Sequence, residues 1–220
     1  MHIYPSILTI DFSKLEEQIE DAVRGGADGI HVDVMDGQFV PPITFGTPII
    51  QALHSLTDLP LDIHMMVVNP DRFLEDFVTA GATSITVHYE AVDKVDTTLD
   101  KIADLGVKTS LALNPETTIE KSYPYLHRLD QILLMSVKPG YGGQSFINSS
   151  LDKIHQLKNK ITNEGLETVI QVDGGVNLKT ITSVAEAGAD IVVAGSVVFQ
   201  PEVKPSESLK LLKDKTRSNN

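Results

Sequence analysis

No cysteine occurs among the 220 residues, which excludes disulfides, thiolate metal sites and cysteine nucleophiles. Nor is there a block of lysines and arginines: 18 basic residues stand against 30 acidic ones, a formal net charge of −12. A protein of that sign repels a polyphosphate backbone, so nucleic acid is not an expected partner. The opening MHIYPSILTIDF has no basic stretch followed by a long apolar run, and no apolar run approaches the ~20 residues that span a bilayer. The expectation is a cytoplasmic protein with no membrane partner. What is present suits a chain that buries a core, with 41% hydrophobic and 22% charged residues and the length of one large domain.

An internal repeat organises the chain. RGGADGIHVD (24–33), TAGATSITVH (79–88) and EAGADIVVAG (186–195) share one plan, and DLGVKTSLAL (104–113) is a looser copy. In each a helix tail meets a glycine, which supplies a left-handed cap, and an Ile/Val-rich run then reads as a buried strand. The repeat glycines 26, 81, 106 and 188 are spaced by 55, 25 and 82 residues, multiples of a unit of about 27, the size of one strand plus one helix. A chain of this length holds about eight such units.

Strands are expected near 3–8, 29–35, 61–67, 84–88, 107–113, 131–137, 168–173 and 190–194, each preceding a helical stretch. Helices are clearest at 13–24, 70–80, 147–163 and 177–187, with Ser13, Asn69 and Asn177 placed to cap them. Alternating apolar strands and helices imply a parallel sheet, and eight units imply an α/β fold closed into a single (β/α)8 TIM barrel. The barrel is expected over residues 1–215, with 216–220 as a loose tail.

Chemistry in such barrels sits at the C-terminal strand ends. Strand 2 ends HVDVMDG, and the spacing of His31 and Asp33 puts both side chains on one face. Strand 3 carries His64 and strand 7 carries Asp173. Taken singly, a histidine near a strand end is often a hydrogen-bonded core residue, and Asp before Gly is often a turn former. Together, two imidazoles and two carboxylates at one mouth are costly to bury without a cation or a proton-transfer task. The set points to one divalent metal, zinc foremost, with iron, manganese or cobalt also suited. Met35 and Met66 share the inward parity and read equally as a dry cavity lining or as core filler. His88 aligns with Asp33 in the repeat and, lacking a partner at suitable spacing, reads as a structural histidine.

Glycines follow the late strands: PGYGGQ (139–144), Gly174-Gly175, and Gly195-Ser196. Loops after strands 7 and 8 form the phosphate site of many barrels, where backbone amides hold an anion without lysine. PGYGGQ lacks the Gly-Lys-Ser/Thr of a nucleotide loop and reads as a lid.

PSIL (5–8), HVDVMDGQFVP (31–41), DIHMMV (62–67), VKPGYGGQSF (137–146), VDGGVN (172–177) and AGSVVF (194–199) together resemble the ribulose-phosphate 3-epimerase family. The resemblance implies interconversion of D-ribulose 5-phosphate and D-xylulose 5-phosphate in the pentose phosphate pathway. It implies His31, Asp33, His64 and Asp173 as metal ligands, with Asp33 and Asp173 doubling as the acid/base pair. Ser6 and His64 would face the sugar, and Met35 and Met66 would shield the intermediate. Gly140, Tyr141, Gly142 and Gly143 would close over the substrate, and Gly174, Gly175, Gly195 and Ser196 would take the phosphate. The family also implies a homo-oligomer. Pro42, Lys138 and Tyr141 depart from the usual family residues. A related epimerase of allulose 6-phosphate shares the metal set, and a Schiff-base aldolase using Lys138 is a further alternative.

Overall fold

The computed structural model describes residues 1–217. Its eight strands are β1 (His2–Pro5), β2 (Ile30–Met35), β3 (Leu61–Met66), β4 (Ser84–His88), β5 (Lys108–Leu113), β6 (Gln131–Met135), β7 (Val169–Asp173) and β8 (Ile191–Ala194). All pair in parallel in the order β1-β8-β7-β6-β5-β4-β3-β2. Only the β1–β2 seam lacks a ladder, and a single parallel bridge between Ser6 and His31 closes it. The expected (β/α)8 barrel is the fold.

The helices are α1 (Leu15–Arg24), α2 (Thr47–Leu56), α3 (Leu74–Ala80), α4 (Val95–Asp104), α5 (Ser150–Asn163), α6 (Ile181–Glu186) and α7 (Pro205–Arg217). Between β5 and β6 the crossover is made by two 3-10 turns, Ile119–Lys121 and Leu126–Arg128. Pro124 lies between them, and a proline there denies an α-helix both a donor and its backbone geometry. The helix α7 runs through Thr216 and Arg217, where a tail was expected; 218–220 lie outside the described residues.

The repeat glycines behave as the pattern requires: Gly26, Gly81, Gly106 and Gly188 all have positive φ. The expected caps fare unevenly. Asn177 accepts from the Lys179 amide (2.9 Å) in the turn that leads into α6. Ser13 does not cap; Asp11 accepts from the Ser13 amide (3.0 Å) and hydroxyl (2.6 Å), because a 3-10 turn over Phe12–Lys14 precedes α1. Asn69 sits at φ 49°, with no capping bond from its side chain. Strand β1 stops at Pro5, short of its expected end, because the Ser6 hydroxyl accepts from the Leu8 amide and turns the chain into a 3-10 helix.

Side chains alternate between two quite different environments. Outward-facing Ile30, Val32, Ile63, Met65, Ile85, Val87, Ile132 and Val172 form one continuous core with Ile19, Ile50, Leu99 and Leu157 of the surrounding helices. The inward face is largely polar: His31, Asp62, His64, Ser84, Thr86, His88, Ser110, Gln131 and Gln171 are all buried. Barrel interiors are usually filled by branched aliphatic layers. Here the apolar filling is reduced, with Ala112, Leu133, Met135 and Val137 on the β5–β6 side and Ile191 and Val193 of β8 beside the inward Gln171 and Asp173.

Stability therefore resides mainly in the strand–helix layer, where a fully buried Ile contributes about 1.5–3 kcal/mol by area alone. Ile63→Ala, at a fully buried outward position, is expected to lower unfolding stability by about 2–5 kcal/mol in urea titrations. A loss below about 1 kcal/mol would show that this layer is not the main support.

Candidate active site

The inner row of β2 is His31, Asp33, Met35, and that of β3 is Asp62, His64, Met66. Register pairs them as His31 with Asp62, Asp33 with His64 and Met35 with Met66. The last residue of β7, Asp173, comes in from across the mouth. One ligating atom each from His31, Asp33, His64 and Asp173 lies within 4.8 Å of the others. His64 Nδ1 is 3.1 Å from Asp33 Oδ1 and 3.6 Å from Asp173 Oδ2, while His31 Nε2 is 3.4 Å and 4.0 Å from the same two oxygens. The four residues singled out in the sequence thus converge on one point.

The orientation of each donor is set from behind. His31 Nδ1 is 2.8 Å from Asp62 Oδ2, which directs Nε2 into the group. Asp62 also accepts from Ser84 Oγ (2.5 Å) and Gln171 Nε2 (2.7 Å), and Gln171 Oε1 accepts from Gln131 Nε2 (2.7 Å). Asp33 Oδ2 accepts from Ser6 Oγ (2.6 Å), leaving Oδ1 toward the histidines. Asp173 is steadied through its backbone, whose carbonyl accepts from the Ser136 amide (2.8 Å) and hydroxyl (2.9 Å).

The electrostatics of the metal-free group divide the two carboxylates. Burial opposes charge on Asp33, but His31 and His64 override it and hold Asp33 far below the usual carboxylate range. Burial and the neighbouring Asp33 charge push Asp173 up to about 7. Burial also opposes charge on His31, yet Asp33 and Asp62 hold it well above an ordinary histidine. His64 is lowered, chiefly by burial.

The residues fit a divalent cation. His31 Nε2 is buried without a hydrogen-bond partner, although Nδ1 of the same ring is engaged. A lone imidazole nitrogen facing two carboxylates is a donor set for a cation, with nitrogen and oxygen ligands and carboxylate-backed histidine of the kind that divalent metals take.

A cavity of about 260 Å³ opens above the group. Its wall includes Ser6, Asp33, Met35, Met66, Asp173, the 140–143 segment, Gly174-Gly175 and Gly195-Ser196, as expected from the sequence, whereas His31 and His64 lie fully buried beneath it. No lysine or arginine lines it. Lys138 is exposed and outside the wall, although its carbonyl accepts from Gln144 Nε2 (2.7 Å), which also donates to the Tyr141 carbonyl (2.7 Å). Tyr141 is 61% exposed at the rim. Gly174 and Gly175 have φ of 115° and 67°, and a Cβ on Gly175 would stand 2.4 Å from the Phe146 backbone nitrogen, so that loop admits only glycine.

Several participants escaped the sequence reading. Asp62 shares the parity of His64 two residues on, and that spacing was a usable signal. Met135 and Thr9 also line the cavity. His88, expected to stand without a suitable partner, has two: its Nε2 is 2.8 Å from His64 Nε2 and its Nδ1 is 3.2 Å from Glu90 Oε2. Sequence spacing failed there because the partner lies on the adjacent strand.

Comparison with known proteins adds to this geometry. The ribulose-phosphate 3-epimerase family model matches residues 2–199. Ribulose-phosphate 3-epimerase of Bacillus subtilis is 47% identical over 198 residues, covering 90% of this chain and 91% of that protein. The Synechocystis enzyme of the same name is 48% identical over 199 residues, 90% of this chain and 86% of that protein. Among solved structures, 3-hexulose-6-phosphate synthase superimposes with a TM-score of 0.73 at 18% identity, over 98% of this chain and 99% of that one. That likeness concerns the fold alone.

Removing Asp62 would leave three buried partners unsatisfied. Asp62→Ala is expected to cost about 3 kcal/mol of stability in metal-free protein, read by urea unfolding. A cost under 1 kcal/mol would mean the carboxylate is not the anchor of the barrel interior.

Proposed function

This chain belongs to the ribulose-phosphate 3-epimerase family, and from that premise we propose that Asp33 and Asp173 exchange the C3 proton of a ketose phosphate over a metal held by His31, Asp33, His64 and Asp173. The chain is an isomerase that interconverts D-ribulose 5-phosphate and D-xylulose 5-phosphate. The hexulose phosphate alternative is not favoured, and an exposed Lys138 outside the cavity wall gives no support to an imine-forming aldolase.

The observation that carries the residue assignment is the convergence of two carboxylates, Asp33 and Asp173, with two histidines at one cavity floor. Inverting a carbon next to a carbonyl requires removing a proton from one face and returning one to the other. Asp33, kept charged by its histidines, is suited to accept. Asp173, pushed up to about 7 by burial and by Asp33 before a metal binds, stands opposite as the second carboxylate, able to return a proton to the other face. Because the reaction runs both ways, the two exchange roles with direction. When bound, the metal supplies positive charge that offsets the negative charge developing on the substrate oxygens. A nitrogen and oxygen donor set favours zinc, with iron, manganese and cobalt as alternatives.

The chain's other residues orient and shield. Ser6 holds Asp33 Oδ2 and faces the cavity, where it can also meet the sugar, and His64 stands below it. Met35 and Met66 pack with Val40 into an apolar cover that keeps water from the reacting carbon. Phosphate falls to Gly174, Gly175, Gly195 and Ser196. The Gly195 carbonyl accepts from the Val198 and Phe199 amides, which begins a helical turn there, and the first amides of such a turn suit an anion. Gly140, Tyr141, Gly142 and Gly143 form the lid. A cytoplasmic homo-oligomer completes the reading, and exposed apolar surface such as Ile43, 81% exposed, supports association.

Two measurements test this. Proton NMR of D-ribulose 5-phosphate with zinc-loaded enzyme in heavy water should show xylulose 5-phosphate deuterated at C3. Asp33→Asn and Asp173→Asn should each lower turnover by about 10²–10⁴-fold. Wild-type rates in both variants would remove the acid/base assignment.

Metal uptake must also displace protons from Asp173, near 7, and from His31, which is raised. A proton on either group competes with the metal, so affinity should fall as pH drops through about 7. Calorimetric titrations in buffers of different ionisation enthalpy should show proton release at pH 6 that diminishes at pH 8. Uptake independent of pH would count against these ligands.

A further inference from the structure

A chain of buried hydrogen-bonding groups leads away from the metal group in a direction the reaction does not use. His64 Nδ1 faces Asp33 and Asp173, while Nε2 of the same ring is 2.8 Å from His88 Nε2. His88 Nδ1 is 3.2 Å from Glu90 Oε2. The other Glu90 oxygen accepts from the Asn114 amide (2.9 Å) and from Thr117 Oγ1, which fastens it to the loop after β5. Both histidine rings are fully buried, so neither can take a proton partner from solvent.

Where a cation rather than a proton answers both His64 Nδ1 and the Asp33 Oδ1 that lies 3.1 Å from it, these contacts admit one consistent arrangement of protons. A carboxylate only accepts, so His88 Nδ1 must carry the hydrogen facing Glu90. A neutral His88 then presents a lone pair at Nε2, which can only accept from His64 Nε2–H. His64 is left with its lone pair at Nδ1, the atom that faces the two metal-binding carboxylates. We propose that Glu90 and His88 are positioning residues that fix the tautomer of His64 and thereby prepare Nδ1 for the metal. The inference rests on the metal reading above but assigns residues outside the ligand set. It gives the two ligand histidines matching support. His31 is backed directly by the Asp62 carboxylate, and His64 is backed by the Glu90 carboxylate at one remove.

Glu90→Gln discriminates this role from simple loop attachment. The glutamine carbonyl can still accept from Asn114 and Thr117, but its NH₂ would confront His88 Nδ1–H. His88 must then move its proton to Nε2, which forces His64 to carry its own on Nδ1 and closes the metal-facing lone pair. Thr117→Val is the control, since it weakens the loop attachment without reaching the histidines.

Zinc affinity, measured by competition with a chromophoric chelator, should fall about 10–100-fold in Glu90→Gln and stay at the wild-type value in Thr117→Val. Equal affinity in Glu90→Gln and wild type would overturn the proposal, as would an equal loss in both variants. Long-range ¹H–¹⁵N spectra of the histidine rings in zinc-loaded wild type give a test independent of any variant's folding. They should show His64 protonated at Nε2 and His88 at Nδ1, and a proton on His64 Nδ1 would overturn the assignment. A wild-type chain that takes up no zinc would instead overturn the metal reading beneath it.

Discussion

Two carboxylates held close together away from water repel each other, and the barrel is arranged around that repulsion. Asp33 and Asp173 approach the same two imidazole nitrogens, and in the metal-free protein their affinities for protons are driven apart. In the proposed function a divalent cation would remove the conflict by taking both as ligands, and the same group would then serve binding and proton transfer. Neither use would survive if the side chains could swing away. Ser6, Asp62 and Ser136 each hold one member of the group, directly or through its backbone.

That requirement explains the unusual interior. A barrel filled with aliphatic layers could not support His31 from below. Here the space beneath the metal group holds a connected set in which Gln131, Gln171, Ser84 and Asp62 satisfy one another. Buried polar groups of this kind contribute little net stability but fix position, because any displaced member strands its partner. The hydrophobic contribution is displaced to the outer layer, where the strands meet the helices. The two faces of one strand thus do different work, as in β3, where Ile63 and Met65 support the fold and Asp62 and His64 the site.

Much of this was legible in the chain itself. The Gly-Ala repeat yields the strand positions because a cap glycine followed by an aliphatic run has few other uses. Parity along HVD and DIH identifies the inward residues. The structure departs where one element's behaviour depends on another. Strand β1 ends early because Ser6 turns back on Leu8 and also serves Asp33. The β5–β6 crossover forgoes a regular helix around Pro124. The partners of His88 were invisible because a hydrogen bond between neighbouring strands leaves no spacing in the sequence. By contrast, the metal group could be assembled from four distant residues because barrel topology sends every strand end to one mouth.

The β1–β2 seam has a consequence for the order in which the enzyme is made. Strand β1 is the first to leave the ribosome, yet its ladder partner β8 is nearly the last, about 190 residues later. Until β8 emerges, β1 is held to the growing sheet without a ladder, by the Ser6–His31 bridge and by hydrogen bonds between Ile3 and Asp28 and between Ser6 and Asp33. The Ser6 amide donates to the Ala194 carbonyl (3.1 Å), so the residue that holds Asp33 is itself anchored at the end of the last strand. A chain that ends before β8 would lack that anchor beneath the residue that orients Asp33 and would leave β1 without its ladder.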